Sequence, residues 1–126
     1  MKTIINTKNA PAPVGPYNQS TKVGNMLFVS GQIAINPANG ELVQDSIEAE
    51  TEQVMKNLGA VLEEAGMTYE NIAKASVFVK DMNLYSRINA VYAKYFDEAT
   101  APARELVEVA NLPKFVNIEI SVIAAD

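Results

Sequence analysis

Cysteine and histidine are both absent from this 126-residue chain. Their absence excludes disulfides, a thiolate nucleophile, a Ser-His-Asp triad and the usual zinc site. It leaves the redox compartment open. Positive charge is scarce and dispersed: ten Lys and Arg face fifteen Asp and Glu, for a net charge of -5, with Lys22, Lys56, Lys74 and Lys94 standing apart. A nucleic-acid groove or an anionic membrane surface needs concentrated cations, so neither partner is expected, although a local cationic site remains compatible. No apolar run approaches the roughly 20 residues of a membrane helix. The start "MKTIINTKNAPAP" offers only Ile4 and Ile5 where a signal peptide needs an apolar core. A soluble, cytoplasmic protein is expected. No EF-hand-like spacing of acidic residues occurs, and no metal site is expected. Any catalysis must draw on Arg, Lys, Tyr, Ser, Asp, Glu, backbone groups or bound water.

What is present suits one packed domain over residues 1–126, because 48% of the chain is hydrophobic. Pro11, Pro13 and Pro16 make the opening segment extended and irregular. Apolar alternation on both sides of Gly24-Asn25 predicts a β-hairpin, and Asn39-Gly40 marks a further turn. From Asp45 the period becomes helical. Ile47, Thr51, Val54, Leu58, Val61, Leu62 and Ala65 share a face, with Asp45 or Ser46 as cap and Gly66 as stop. Residues 72 to 81 alternate as a strand, with Ala73, Ala75, Val77 and Val79 on one face. A second helix is predicted over about Leu84 to Phe96, capped by Asn83, its Ile88, Val91, Tyr92, Tyr95 and Phe96 read as core. Two strands close the chain, at about 104–110 and 117–125. The order ββαβαββ gives an α+β domain: a mixed five- to six-stranded sheet with two helices on one face. The bare face of such a sheet needs cover, which argues for oligomerisation.

Few polar residues sit where chemistry could use them. Arg104, behind Pro102 and at the head of a valine-rich strand, is either a solvated charge, a partner for Glu108, or an anchor for a small carboxylic acid. Glu119 interrupts an apolar strand and is either solvent-facing or a partly buried carboxylate that orients or deprotonates a water. Tyr17 in "GPYNQS" either lines a pocket or caps the sheet. Ser30-Gly31 in "FVSGQI" allows a close backbone approach or a β-bulge. Asn89 lies one step from the apolar stripe of the second helix.

Taken together, "APVGPYNQS", "NMLFVSGQIAINPANGEL", "EEAGM", "SVFVKDM", "PARELVEVANLP" and "NIEISVIA" occur in the order found in the reactive intermediate deaminase (Rid/YjgF) family, which the chain resembles over nearly its whole length. The resemblance implies a chorismate-mutase-like fold, a homotrimer with clefts between subunits, and no metal or cofactor. It implies hydrolysis of 2-imino acids such as 2-iminobutanoate and 2-iminopropanoate, or their enamines, to 2-oxo acids and ammonia. Arg104 would then grip the substrate carboxylate and Glu119 hold the attacking water. Tyr17, Ser30, Gly31 and Asn89 would shape the cleft. The alternative is a non-catalytic module that binds a small carboxylate in the same cleft. Ribonuclease activity, attributed to some relatives, is disfavoured by the acidic composition.

The chain departs from that family's pattern at two places. Leu106 stands where many members carry cysteine, on the strand face of Arg104 and so expected to project toward the cleft, with Glu105 on the other face. The approach "FDEATAPAR" is about two residues shorter than in the members it resembles.

Overall fold

A computed structural model describes residues 1–126. Eight elements follow the chain: β1 (Lys2–Ile5), β2 (Ser20–Val23), β3 (Met26–Gln32), α1 (Ile47–Glu64), β4 (Ile72–Val79), α2 (Tyr85–Tyr92), β5 (Ala103–Glu108) and β6 (Ile118–Ala125). They build one six-stranded sheet in the order β1-β2-β3-β6-β4-β5, in which only β4 and β5 run parallel. Both helices cover one face, as expected for this α+β class. The sixth strand is β1, which the order ββαβαββ lacks. Lys2–Ile5 precedes the prolines, and antiparallel pairing with β2 supplies the backbone partners that short, exposed Lys2–Ile5 would otherwise want.

Local chemistry sets the elements. Gly24 at φ 61° makes the two-residue turn between β2 and β3. Ser46 caps α1 by accepting from the Ala49 amide at 3.0 Å, and Gly66 at φ 75° ends it. The α1 face expected from periodicity is the buried one, with Val54, Leu58, Val61 and Leu62 essentially inaccessible. Each such side chain contributes on the order of 1.5–3 kcal/mol on burial. Glu50, also buried, accepts from the backbone and side-chain amides of Asn117 at 2.8 Å each and so ties α1 to the start of β6.

Three expectations need correction. A β-bulge between Ile72 and Lys74 turns Ala73 outward and puts Ile72 in the core instead. The second helix is shorter, Tyr85–Tyr92, flanked by 3-10 turns at Met82–Leu84 and Ala93–Tyr95. Asp81 rather than Asn83 caps that region, accepting from the Asn83 amide at 2.9 Å.

The core lies between helices and sheet. Leu27 and Val29 of β3, Ala75, Val77 and Val79 of β4, and Ile118, Ile120, Val122 and Ala124 of β6 point into it. Their alternate neighbours face away from the helices. Phe28 and Val107 are exposed there at 40% and 42%, a large apolar investment for a surface with no helix over it. No helix is long and apolar enough to cross a membrane.

Candidate functional site

The sheet register sorts the candidate residues into two groups. On β5, Arg104 pairs with Ala75 and Leu106 with Val77, so both side chains lie on the helix-covered face. On β6, Glu119 pairs with Phe78 and lies on the bare face. One chain therefore does not bring Arg104 and Glu119 together.

Around Arg104, β5 forms the sheet edge and α2 stands beside it. The guanidinium donates from one terminal nitrogen to Asn89 Oδ1 at 2.8 Å and from the other to the Tyr85 hydroxyl at 3.0 Å. The Tyr92 ring lies 4.9 Å from its central carbon and the Tyr85 ring 5.8 Å, so aromatic faces support the charge. Every partner is neutral. None of the four ion pairs in the protein involves Arg104, and Glu108, the partner considered from sequence, instead accepts from the Met82 amide at 2.8 Å. Two of the five guanidinium N–H donors are thus committed, and the rest are free for an anion. A cavity of about 450 Å³ opens at this group, with Asn89, Tyr92 and Phe96 among its lining residues. Burial pushes the Tyr92 phenol above its ordinary pKa, opposed by the Arg104 charge, and its hydroxyl has no hydrogen-bond partner.

The second group gathers on the bare side. Tyr17, Ser30, Gly31 and Glu119 line one cavity of about 450 Å³ with Lys114. A β-bulge in β3, between Val29 and Gln32, displaces Ser30 and Gly31 from the ladder. Gly31 is needed for space: a Cβ there would lie 2.7 Å from Glu119 Cδ and 2.9 Å from its Oε2. Both sequence readings of Ser30-Gly31, bulge and close approach, therefore hold at once. Glu119 makes no hydrogen bond or ion pair within the chain, and burial pushes its carboxyl above the ordinary value. A carboxylate so placed is a better proton acceptor than one in water.

Supporting contacts fix this second group. The Ser30 hydroxyl donates to the Asn18 carbonyl at 2.6 Å, and the Tyr17 hydroxyl accepts from the Val14 amide at 3.3 Å. Buried Gln19 holds the proline-rich segment, donating to the Thr7, Ala10 and Pro11 carbonyls and accepting from the Thr7 amide. Lys114 and Phe115 have φ of 55° and 57°, a left-handed pair without glycine, at the rim where Lys114 reaches the cavity.

Leu106 does not join either group. It shares the face of Arg104, as alternation predicts, but packs against the core rather than lining a cavity. Glu105 faces the other way, bonded to Ser76 and paired with Lys74 at 3.2 Å. Sequence reasoning missed Tyr85 as a contact of Arg104. The signal was available: Tyr85, Asn89 and Tyr92 follow i, i+4, i+7 spacing and share one helix face.

The family profile described as endoribonuclease L-PSP matches residues 7–126. A RutC family protein of Synechocystis is 53% identical over 122 residues, covering 96% of this chain and 94% of its own. The crystal structure of the YjgF gene product from E. coli matches with a TM-score of 0.91 at 47% identity, over 98% of each chain. That of E. coli TdcF with bound serine matches with a TM-score of 0.92 at 40% identity, again over 98% of each. Fold and sequence agree, and the chain belongs to the endoribonuclease L-PSP family, the RutC/YjgF/Rid group.

Proposed function

We propose that the protein is a cytoplasmic 2-imino acid deaminase, active on substrates of the 2-iminobutanoate and 2-iminopropanoate type, whose sites form between the subunits of a homotrimer. The observation that carries this reading is Arg104, a permanently charged guanidinium at a cavity mouth with only neutral partners. Such a fork matches a carboxylate bidentately. The serine bound by TdcF is a small carboxylate-bearing ligand of the same general kind.

In this reading Arg104 of one copy holds the substrate carboxylate, and Glu119 of the next holds a water. The water oxygen bonds to the imine carbon while Glu119 takes one of its protons. The resulting amino alcohol receives that proton on nitrogen, and the C–N bond breaks with its electron pair leaving on nitrogen. Glu119 takes the remaining hydroxyl proton, so that ammonia and a 2-oxo acid leave, and the glutamate then returns its proton to solvent. No oxidation occurs, and no metal or cofactor is called for. A protonated imine is already electrophilic, so positioning and one acid/base group supply what is needed. Self-association is supported by the apolar bare face, with Phe28 and Val107 exposed, and by β5, whose outer edge is unpaired. The ribonuclease of the family description fits less well: Arg104 and Lys114 stand in separate cavities of a chain with net charge -5.

The test generates 2-iminobutanoate in situ and follows 2-oxobutanoate release. Wild type accelerates it, and Arg104→Ala loses the acceleration at unchanged fold and assembly. Equal rates for the two proteins would overturn the reading. Binding of 2-oxobutanoate without turnover would select the non-catalytic carboxylate-binding module instead.

A further inference from the structure

Lys114 occupies a backbone position that does not favour it. Residues 113–116 form a β-turn closed by the Val116 amide, which donates to the Pro113 carbonyl at 3.3 Å. Its two central residues, Lys114 and Phe115, both have positive φ, 55° and 57°. Turns of that kind ordinarily take Asn-Gly, because larger side chains are crowded in the left-handed region. A strained residue kept at the rim of a cavity points to a use for its side chain. Charge supplies that use. Of the residues that line the Glu119 cavity, two are charged, Glu119 and Lys114. They do not pair with each other, and Lys114 takes no part in any ion pair of the protein. Both charges are left to whatever enters the cavity.

The Glu119 carboxylate repels an anion, and the chain around it carries a net charge of -5. A 2-oxo acid, or an imino acid with its nitrogen unprotonated, brings one negative charge against that field. A lysine on an exposed turn at the rim offsets the repulsion without neutralising Glu119 through a direct bond. We infer that Lys114 is a substrate-recruiting residue, whose ammonium raises the local concentration of the anionic ligand at the Glu119 cavity. It acts on binding and leaves the chemical step alone. The inference rests on the reading of the Glu119 cavity as part of the deaminase site.

Calorimetry with 2-oxobutanoate on the intact assembly reads recruitment apart from turnover. At ~20 mM salt, Lys114→Gln should bind about threefold more weakly than wild type and Lys114→Glu about tenfold, as for one and two unit charges changed at roughly 8 Å in a water-rich mouth. At ~0.5 M salt, where the screening length is about 4 Å, both differences should vanish. Lys114→Arg should bind as wild type does at either salt. Lys56→Gln removes the same charge from the exposed face of α1 and should change nothing, which separates a local field from net charge. Activity should follow the same pattern in KM, with kcat unchanged. Lys114→Gln and Lys114→Glu proteins that bind like wild type at low salt would overturn the inference. So would a loss that persists at high salt or that arginine does not restore, because the lysine would then act by packing. Failure of the deaminase reading looks different. A wild type that shows the full charge and salt dependence in binding, but does not accelerate imine hydrolysis, would remove the deaminase and leave the recruiting lysine standing.

Discussion

Arg104 and Glu119 leave opposite faces of one sheet: Arg104 stands in register with core residue Ala75, and Glu119 with outward-facing Phe78. Any chemistry that uses both must take them from two copies of the chain. Mixed assemblies of Arg104→Ala and Glu119→Gln subunits should therefore regain activity that neither variant has alone. With random mixing of equal amounts, about a quarter of the sites pair an intact arginine with an intact glutamate across a cyclic interface. Recovery to about that fraction of the wild-type rate is expected after co-expression or co-refolding. Mixtures that stay as inactive as the separate variants would contradict the shared site.

Much of this arrangement is legible in the chain, and the part that is not has a physical reason. The α1 face from Ile47 to Leu62, its Ser46 cap and the Gly24-Asn25 hairpin follow from periods and turn chemistry that act over a few residues. Arg104 and Glu119 stand out because each breaks an apolar strand pattern. Alternation along one strand does not say which face the helices cover, so their separation needed the strand order. The bulges are the other hidden feature. One extra residue at Ser30-Gly31, and another at Ile72–Lys74, reverses which side chains point inward, so Ala73 faces outward although simple alternation places it with Ala75 and Val77. Leu106 shows the same limit from another side: alternation gives its face, but the core, not the cavity, receives it.

The pH dependence should follow Glu119. Burial raises its pKa above the usual 4.5, with no paired cation to oppose the shift. A base accepts a proton only when ionised, so kcat/KM should climb with pH through that raised value, on a limb lying above the ordinary carboxylate range. Stability runs the other way. A carboxyl whose folded pKa is raised favours the fold at low pH, and that contribution is lost as pH rises through the folded value. Glu119→Gln should lose the acidic limb of the rate profile. It should also be at least as stable as wild type at neutral pH, with the difference gone below about pH 4. Rate profiles corrected for uncatalysed hydrolysis and urea melts at several pH values check both signs. An unchanged acidic limb in the variant would remove Glu119 from the role of base.

Gln19 is expected to couple stability to the site. Its buried carboxamide satisfies the Thr7 amide and the Thr7, Ala10 and Pro11 carbonyls, where prolines leave the segment unable to form its own ladder. Truncation to alanine leaves those groups without partners, at a cost of about 2–4 kcal/mol in urea unfolding. The segment also carries Val14 and Tyr17, which line the Glu119 cavity. Gln19→Ala should therefore open residues 7–18 to proteolysis and raise KM more than it lowers kcat, because the loosened wall acts on binding geometry while Arg104 and Glu119 remain. A change below about 0.5 kcal/mol, within the range of ordinary surface substitutions, would mean that the proline segment is held by something other than this side chain.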